Sequence, residues 1–320
     1  MTSLIVSGPS NACVGVRTVN GAGKVEDHAC KDGVILNVPI WSVPKILETT
    51  LREMEGESGR DEGEILKMKE TISKTKEMCS SVSASGSFMH CYLGVPINED
   101  LDGDLECHHS VILDASKAID SRQNMVIISI PTVFDKSLAP DGYHVIHAYT
   151  AATEDFEEFK GFVAATEQGE GKDVDGDFAF SNPYKTDYSS DPSYSSLKSA
   201  RSSVLFDAIE RVIPDIRERC EMEGSVVEIG TPLTHRRFNR RGLGAYGPGV
   251  HEDGKVWNLL SSKSIHNAGI PNVYVAGDCA FPGIGIPGVA ASGTIAANSF
   301  VGVKEHLREI NRGRKENILQ

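Results

Sequence analysis

None of the seven cysteines, Cys13, Cys30, Cys79, Cys91, Cys107, Cys220 and Cys279, is paired as C-x-x-C, and their number is odd. That excludes the spacing of a zinc ribbon and argues against a disulfide framework, so a reducing compartment is expected. Basic residues are short as well. Lys and Arg total 32 against 45 Asp and Glu, a formal net charge of -13, which is the wrong sign for neutralising phosphates and excludes nucleic acid as a partner. There is no G-x-S-x-G elbow and no P-loop. The opening residues, MTSLIVSGPSNACVGV, lack a basic n-region, a long apolar stretch and any Arg- and Ser-rich amphipathic character, so no targeting segment is visible.

What is present is a chain of 320 residues, 40% hydrophobic and 24% charged, the makeup of a globular protein with two ordinary domains or one large one. Residues 11–41 read as a strand, a turn at Gly21 to Gly23, a second strand, and a buried apolar strand from Val34 to Val38. Ser42 and Pro44 fit a helix start, and helical patterning continues from Glu64 to Met78 with Glu and Lys on a solvated face. From Gly86 the period becomes that of strands: SFMHCYLGV, HHSVILDA, NMVIISIPTVF and YHVIHAYTA, the last two joined by the Pro140-Asp141-Gly142 turn signal. A largely antiparallel sheet is expected. Glu154 to Thr166 reads as helix. Residues 167–195, rich in Gly, Ser, Asp and Pro, read as an exposed or disordered insertion. Helices are expected over Leu197 to Val212 and from Pro214 to about Arg219, then a strand, and a helix start at Thr231-Pro232.

The residues from Cys279 to Val303 carry no charge. Their prolines, glycines, Asn298, Ser292, Thr294 and Ser299 leave the run well short of the hydropathy of a membrane span. The alternative is a strand, Val273 to Ala276, followed by a loop and a helix whose backbone approaches a ligand. Gly277, Gly283, Gly285 and Gly288 permit close backbone approach, Ile286 and Val289 flank the helix start that Pro287 pre-sets, and the helix N-terminus favours an anion or an electron-rich carbonyl. Asp278, at the carboxyl end of a strand, stands where open α/β folds bind ligands and can accept hydrogen bonds from sugar hydroxyls; capping of the next turn is its other reading.

Other polar clusters are weaker candidates. Adjacent His108 and His109 point to opposite faces of a strand, as do His144 and His147, so neither pair suits one metal ion. Asp173, Asp175 and Asp177 resemble part of a calcium loop with the glycine and closing glutamate misplaced. His235-Arg236-Arg237 fits either an anionic cofactor or a solvated patch. No metal site is expected, and no catalytic acid or base can be named.

YVAGDCAFPGIGIPGVAASGTIAANS resembles the C-terminal flavin-contacting motif of the carotenoid isomerase and phytoene desaturase-like flavoproteins. GVILNVPIW, MVIISIPTVFDKSLAPDGYHVIHAYT and EIGTPLTHRRFNRRGLGAYGP are similar to three further segments of that family, in the same order. The resemblance implies a partial FAD-binding domain of the glutathione-reductase type, in segments 1–41 and 246–320, around a substrate domain at 42–245 made of a mixed, largely antiparallel sheet with helices. It implies FAD as cofactor, with Asp278 on its ribityl or pyrophosphate portion and Gly285 to Val289 facing the flavin N1 and C2 carbonyl. An apolar polyene substrate, a plastid location, a place in carotenoid biosynthesis and peripheral contact with a membrane follow from it too. The implied activity is cis-trans isomerisation, with a desaturase or amine-oxidase-like oxidoreductase, or a non-catalytic remnant, as alternatives. In one respect the chain departs from the family, which opens with a strand, a glycine-rich turn and a downstream acidic residue. GPSNACVG has the wrong spacing for that turn and precedes no helix, so the chain resembles the C-terminal part of such an enzyme.

Overall fold

The computed structural model describes residues 3–20, 22–80, 84–167, 188–239, 241, 243, 244, 247 and 268–315. In chain order the strands are β1 (Ser3–Ser7), β2 (Ala12–Val19), β3 (Val25–Ala29), β4 (Val34–Leu36), β5 (His90–Pro96), β6 (His108–Ile112), β7 (Met125–Ser129), β8 (Tyr143–Thr150), β9 (Val226–Gly230) and β10 (Val273–Val275). The helices are α1 (Val43–Gly56), α2 (Glu62–Ser80), α3 (Glu157–Glu167), α4 (Pro192–Glu210), α5 (Ile216–Glu221), α6 (Pro232–Asn239), α7 (Ile286–Val301) and α8 (Val303–Lys315). Helices and largely antiparallel sheets make this a mixed α/β protein. The chain divides into two compact units, Met1–Ala84 with Gly247–Gln320, and Ser85–Tyr246. Helices α1 and α2 therefore belong to the first unit, whereas the sequence reading places residues from 42 onward in the substrate domain.

In the first unit β1, β2 and β3 form an antiparallel meander, while β4 and β10 pair in parallel. Helix α1 buries Val43, Ile46, Leu47, Thr50 and Met54, the spacing of one helical face. Thr50 Oγ1 accepts from the Leu4 N–H at 2.9 Å and donates to the Ile46 carbonyl at 2.9 Å, which ties that face to β1. Ser42 occupies the expected N-cap position, but its hydroxyl makes no cap hydrogen bond; Pro44 sets the first turn. The strand expected over Val34 to Val38 is shorter. It ends at Leu36, because the chain leaves β10 after Val275, and Ile35 on its outer side is 45% exposed.

In the second unit five strands run in the order β6-β7-β8-β5-β9, each pair antiparallel. Gly142 sits at φ +81°, as the Pro140-Asp141-Gly142 turn requires, and Tyr143 N–H returns to the Pro140 carbonyl. One sheet face carries Met89, Cys91, Leu93, Val126, Ile128, Ile146 and Ala148, covered by Leu205, Ile209 and Ile216 from α4 and α5. Residues 168–187, with the aspartates of the partial calcium loop, lie outside the described residues. The rest of the expected insertion is folded: α4 starts at Pro192 rather than Leu197. Asp191 caps it by accepting from Ser193 N–H at 2.8 Å, and buried Tyr194 reaches Thr231 Oγ1 at 3.0 Å.

Candidate functional site

Val273 and Val275 of β10 are fully buried beside β4, and the Ala276 N–H bonds the Leu36 carbonyl at 3.0 Å. The backbone then turns sharply at Gly277, φ +116°, whose N–H is held by the hydroxyl of buried Ser292 on α7 at 3.1 Å. Asp278 follows, partly buried. The residue that leaves β10 is thus tied to the second turn of α7 by one hydrogen bond, directly before Asp278.

The glycines of this loop serve different ends. A Cβ on Gly277 would lie 2.5 Å from Asn37 Oδ1, and one on Gly288 would lie 2.6 Å from the Gly283 carbonyl oxygen. Both close approaches are intramolecular and shape the loop. Gly285, at φ +95°, borders open space: only Pro287 Cδ, at 3.9 Å, lies near its missing side chain. It is the residue that caps α7, and the Val289 N–H returns to its carbonyl at 2.9 Å. Gly285 and Pro287 are exposed, and apolar side chains ring the helix start with Ile284 50%, Ile286 85% and Val289 37% exposed. Gly283, Gly285 and Gly288 also have the spacing G-x-G-x-x-G, a pattern the sequence reading did not use. The context differs from a dinucleotide fingerprint, in which the glycine turn follows directly from the strand; here residues 276–282 intervene. A surface of exposed apolar side chains around an uncharged helix N-terminus suits a flat, largely apolar group with an electron-rich edge.

The second unit gathers a cluster that the sequence did not disclose. The β5–β8 register sets His90 opposite Tyr149 and Tyr92 opposite His147. His90 Nδ1 and His147 Nε2 share a hydrogen bond of 2.8 Å. Tyr92 and His147 stack at 4.4 Å with planes 2° apart, and His90 and His147 at 5.1 Å and 8°. From α6, His235 meets His90 edge-on at 4.8 Å. Burial pushes the His90 imidazole down to about 3, helped by His235 and His147, and His235 down to about 4, helped by Arg241. Burial lowers His147 also. All three are neutral rings at neutral pH. His235 is therefore buried among rings rather than displayed on a basic patch.

His108, His109 and His144 act locally. His108 pairs with Ser129 Oγ and His109 with the Glu106 carbonyl, on opposite faces as expected. His144 meets Thr132 Oγ1 at 2.8 Å on the core side, away from His147. Among the described residues no group of side chains could hold a metal ion, and no single helix is long and apolar enough to cross a membrane.

No known family profile matches the chain. It is similar to the chloroplastic prolycopene isomerase of Arabidopsis thaliana, 29% identical over 255 residues, covering 78% of this chain and 37% of that protein. The prolycopene isomerase of Daucus carota is 28% identical over 237 residues, covering 74% and 32%. A solved oxidoreductase from Methanosarcina mazei overlays with a TM-score of 0.41 at 12% identity, covering 93% of this chain and 48% of that one. The chain spans about a third of the length of the curated relatives it matches. The resemblance to carotenoid isomerases, read from four ordered motifs, thus holds over most of the chain.

Proposed function

We propose that these residues form the flavin-side loop and the substrate sheet of a FAD-dependent carotenoid cis-trans isomerase acting on an apolar polyene in a plastid. The observation that carries this reading is the open, uncharged start of α7 beside Asp278, on a chain similar to prolycopene isomerases. Gly285 leaves room for the edge of a ring system, Ile286 and Val289 supply apolar contact, and the first-turn N–H groups of α7 face the position where negative charge would gather. Asp278 would accept hydrogen bonds from hydroxyls of the ribityl chain. FAD bound there would supply reducing equivalents that transiently alter the conjugated chain. The residues named here orient and shield it. The groups that hold the ADP half in related flavoproteins have no counterpart in the described residues.

The test is an extended version of the protein carrying a glycine-rich N-terminal turn, loaded with FAD, reduced chemically and kept without oxygen. Conversion of a poly-cis carotene to the all-trans form with an unchanged hydrogen count supports the reading. A product with additional double bonds would make it a desaturase.

A further inference from the structure

Two cysteines that belong to no motif meet in the first unit. Cys13 lies on β2, and Cys30, 17 residues on, directly follows β3. The β2–β3 register sets Gly15 opposite Ala29, so Cys30 comes opposite Val14, and the Cys30 N–H donates to the Val14 carbonyl at 2.9 Å. Cys13 is then the diagonal neighbour of Cys30, with Cα atoms about 6 Å apart by strand rise and pair spacing. A disulfide spans Cα separations of about 4.4–6.8 Å. On a continued strand the two side chains would point to opposite faces. Cys30 lies past the last strand residue, however, and its thiol turns back to donate to the Cys13 carbonyl at 3.9 Å and to meet the Cys13 thiol. Cys13 is buried, its Sγ–H donating to the Gly15 carbonyl at 3.3 Å, whereas Cys30 is half-buried beside exposed Lys31 and Asp32.

We propose that Cys13 and Cys30 form a reversible dithiol–disulfide couple, closed by exchange with a small disulfide of the glutathione class. The accessible Cys30 thiolate attacks one sulfur of the incoming disulfide, whose S–S bond breaks; a mixed disulfide forms on Cys30 and the first thiol leaves. Cys13 then gives its proton to water and attacks the Cys30 sulfur, which makes the Cys13–Cys30 bond and expels the second thiol. Two cysteine thiols are oxidised, and one external disulfide is reduced to two thiols. Burial pushes the Cys13 thiol up to about 11, and the Cys30 thiol beside it acts in the same direction, so the second step is the slow one. Such a pair stays reduced in a reducing compartment and closes under oxidant, which needs no structural disulfide framework.

The bond would form where the meander meets the β4–β10 strand pair. The Cys13 N–H donates to the Pro271 carbonyl at 3.0 Å, and the Val34 N–H to the Asn272 carbonyl at 2.8 Å. Gly33 packs so closely there that a Cβ on it would lie 2.4 Å from the Asn272 carbonyl oxygen. Residues 30–34 and 271–272 thus make one joint, and closing the couple fixes the entry to both β4 and β10, whatever the loop beyond β10 binds.

The test uses the full 320-residue chain without flavin, reduced, freed of reductant and equilibrated in glutathione buffers of rising disulfide fraction. Peptide mapping is expected to show one linked peptide joining Cys13 to Cys30, lost again on adding dithiothreitol. Because the closed loop restricts the unfolded chain, the oxidised protein should melt about 5 °C or more above the reduced one. Cys30→Ala should abolish both the link and the shift. Cys13→Ala should instead retain glutathione on Cys30 with no link; if that variant does not fold, the peptide map of the parent decides. In the parent the link should form about tenfold faster at pH 8 than at pH 7, because Cys13 is far below its titration point at both. The inference is overturned if parent Cys30 accumulates glutathione without a link, if Cys30 joins a different cysteine or a second chain, or if the link forms only in urea, where the fold no longer sets the pair together.

Discussion

Arg219, 1% exposed, donates from both terminal nitrogens to the carboxylate of Asp102 at 2.5 and 2.7 Å, joining α5 to the loop after β5 across the second unit. Its Nε–H bonds Asp215 at 2.8 Å, and Asp102 also receives the Asn98 N–H. Such a fork in a buried setting is costly to break on one side only, because the carboxylates then stay buried without their cation. Arg219→Ala should lose about 3–5 kcal/mol of stability in urea unfolding. An unchanged midpoint would show that the pair is solvated.

Acid should weaken the second unit in two stages. His90 and His235 are pushed down to about 3 and about 4 by burial, so the unfolded chain binds protons first, below about 6.5. Their contribution is intact above that value and declines as pH falls toward 4 and 3. Burial alone would raise Asp102, but the Arg219 and Asn98 hydrogen bonds outweigh it and hold the carboxyl below its usual range. That contribution is present above the ordinary carboxylate value, about 4, and is lost at more acid pH. His90→Phe with His235→Phe should shrink the first stage of a stability-versus-pH curve, leaving the share of His144 and His147, and leave the second. A first stage of unchanged size in the double variant would place its origin elsewhere.

The sheet was legible in the sequence because alternation over YHVIHAYT and the Pro140-Asp141-Gly142 turn act locally. The ring cluster was not. Alternation puts His90 with Tyr92 and His147 with Tyr149, yet nothing local says that β5 and β8, 57 residues apart, lie side by side. The start of α4 was hidden for another reason. Asp191-Pro192 is a sound cap and first-turn pair, but it sits at the end of a Gly-, Ser- and Asp-rich stretch whose composition reads as unstructured. The glycine loop could be found by its residues, whereas the division of labour among its glycines depends on Asn37 and on the Gly283 carbonyl.

That division predicts different outcomes for two conservative changes. Gly288→Ala places a methyl 2.6 Å from a backbone oxygen, so the loop must shift, at a cost of about 1–3 kcal/mol. Gly285→Ala meets open space but must hold φ +95° and ψ 156°, a region essentially reserved for glycine, at a cost of about 1–3 kcal/mol. In an extended, flavin-loaded version both changes should lower the melting temperature, and Gly285→Ala should lower flavin retention further than Gly288→Ala does. Equal flavin content in Gly285→Ala and the parent would remove Gly285 from the cofactor surface.

Asp278→Ala isolates the other half of the flavin-side proposal. Asp278 is partly buried at the end of β10, and losing one charged hydrogen bond to the cofactor should weaken retention by about 1.5–3 kcal/mol. The measurement is the flavin-to-protein absorbance ratio after gel filtration of the extended version. Equal ratios for variant and parent would return Asp278 to a turn-capping role.

The 320-residue chain itself should purify with little visible flavin. Adenine ribose and pyrophosphate are ordinarily held by a glycine turn, a helix N-terminus and an acidic residue acting together, and among the described residues only the loop proposed to face the flavin has a counterpart. The two strands that lead to it pair with each other, β4 with β10, in a two-stranded parallel sheet, an arrangement with little independent stability. Ile35 on β4 and Ile284, Ile286 and Val289 at α7 are left exposed. Apolar groups set around a short strand pair favour self-association. Light scattering should therefore show concentration-dependent association, and Ile286→Asp should reduce it without lowering the melting temperature, since an 85% exposed side chain contributes little to the fold. A stable monomer that retains stoichiometric FAD would overturn this account, because the cofactor would then be held by groups other than the α7 start and Asp278.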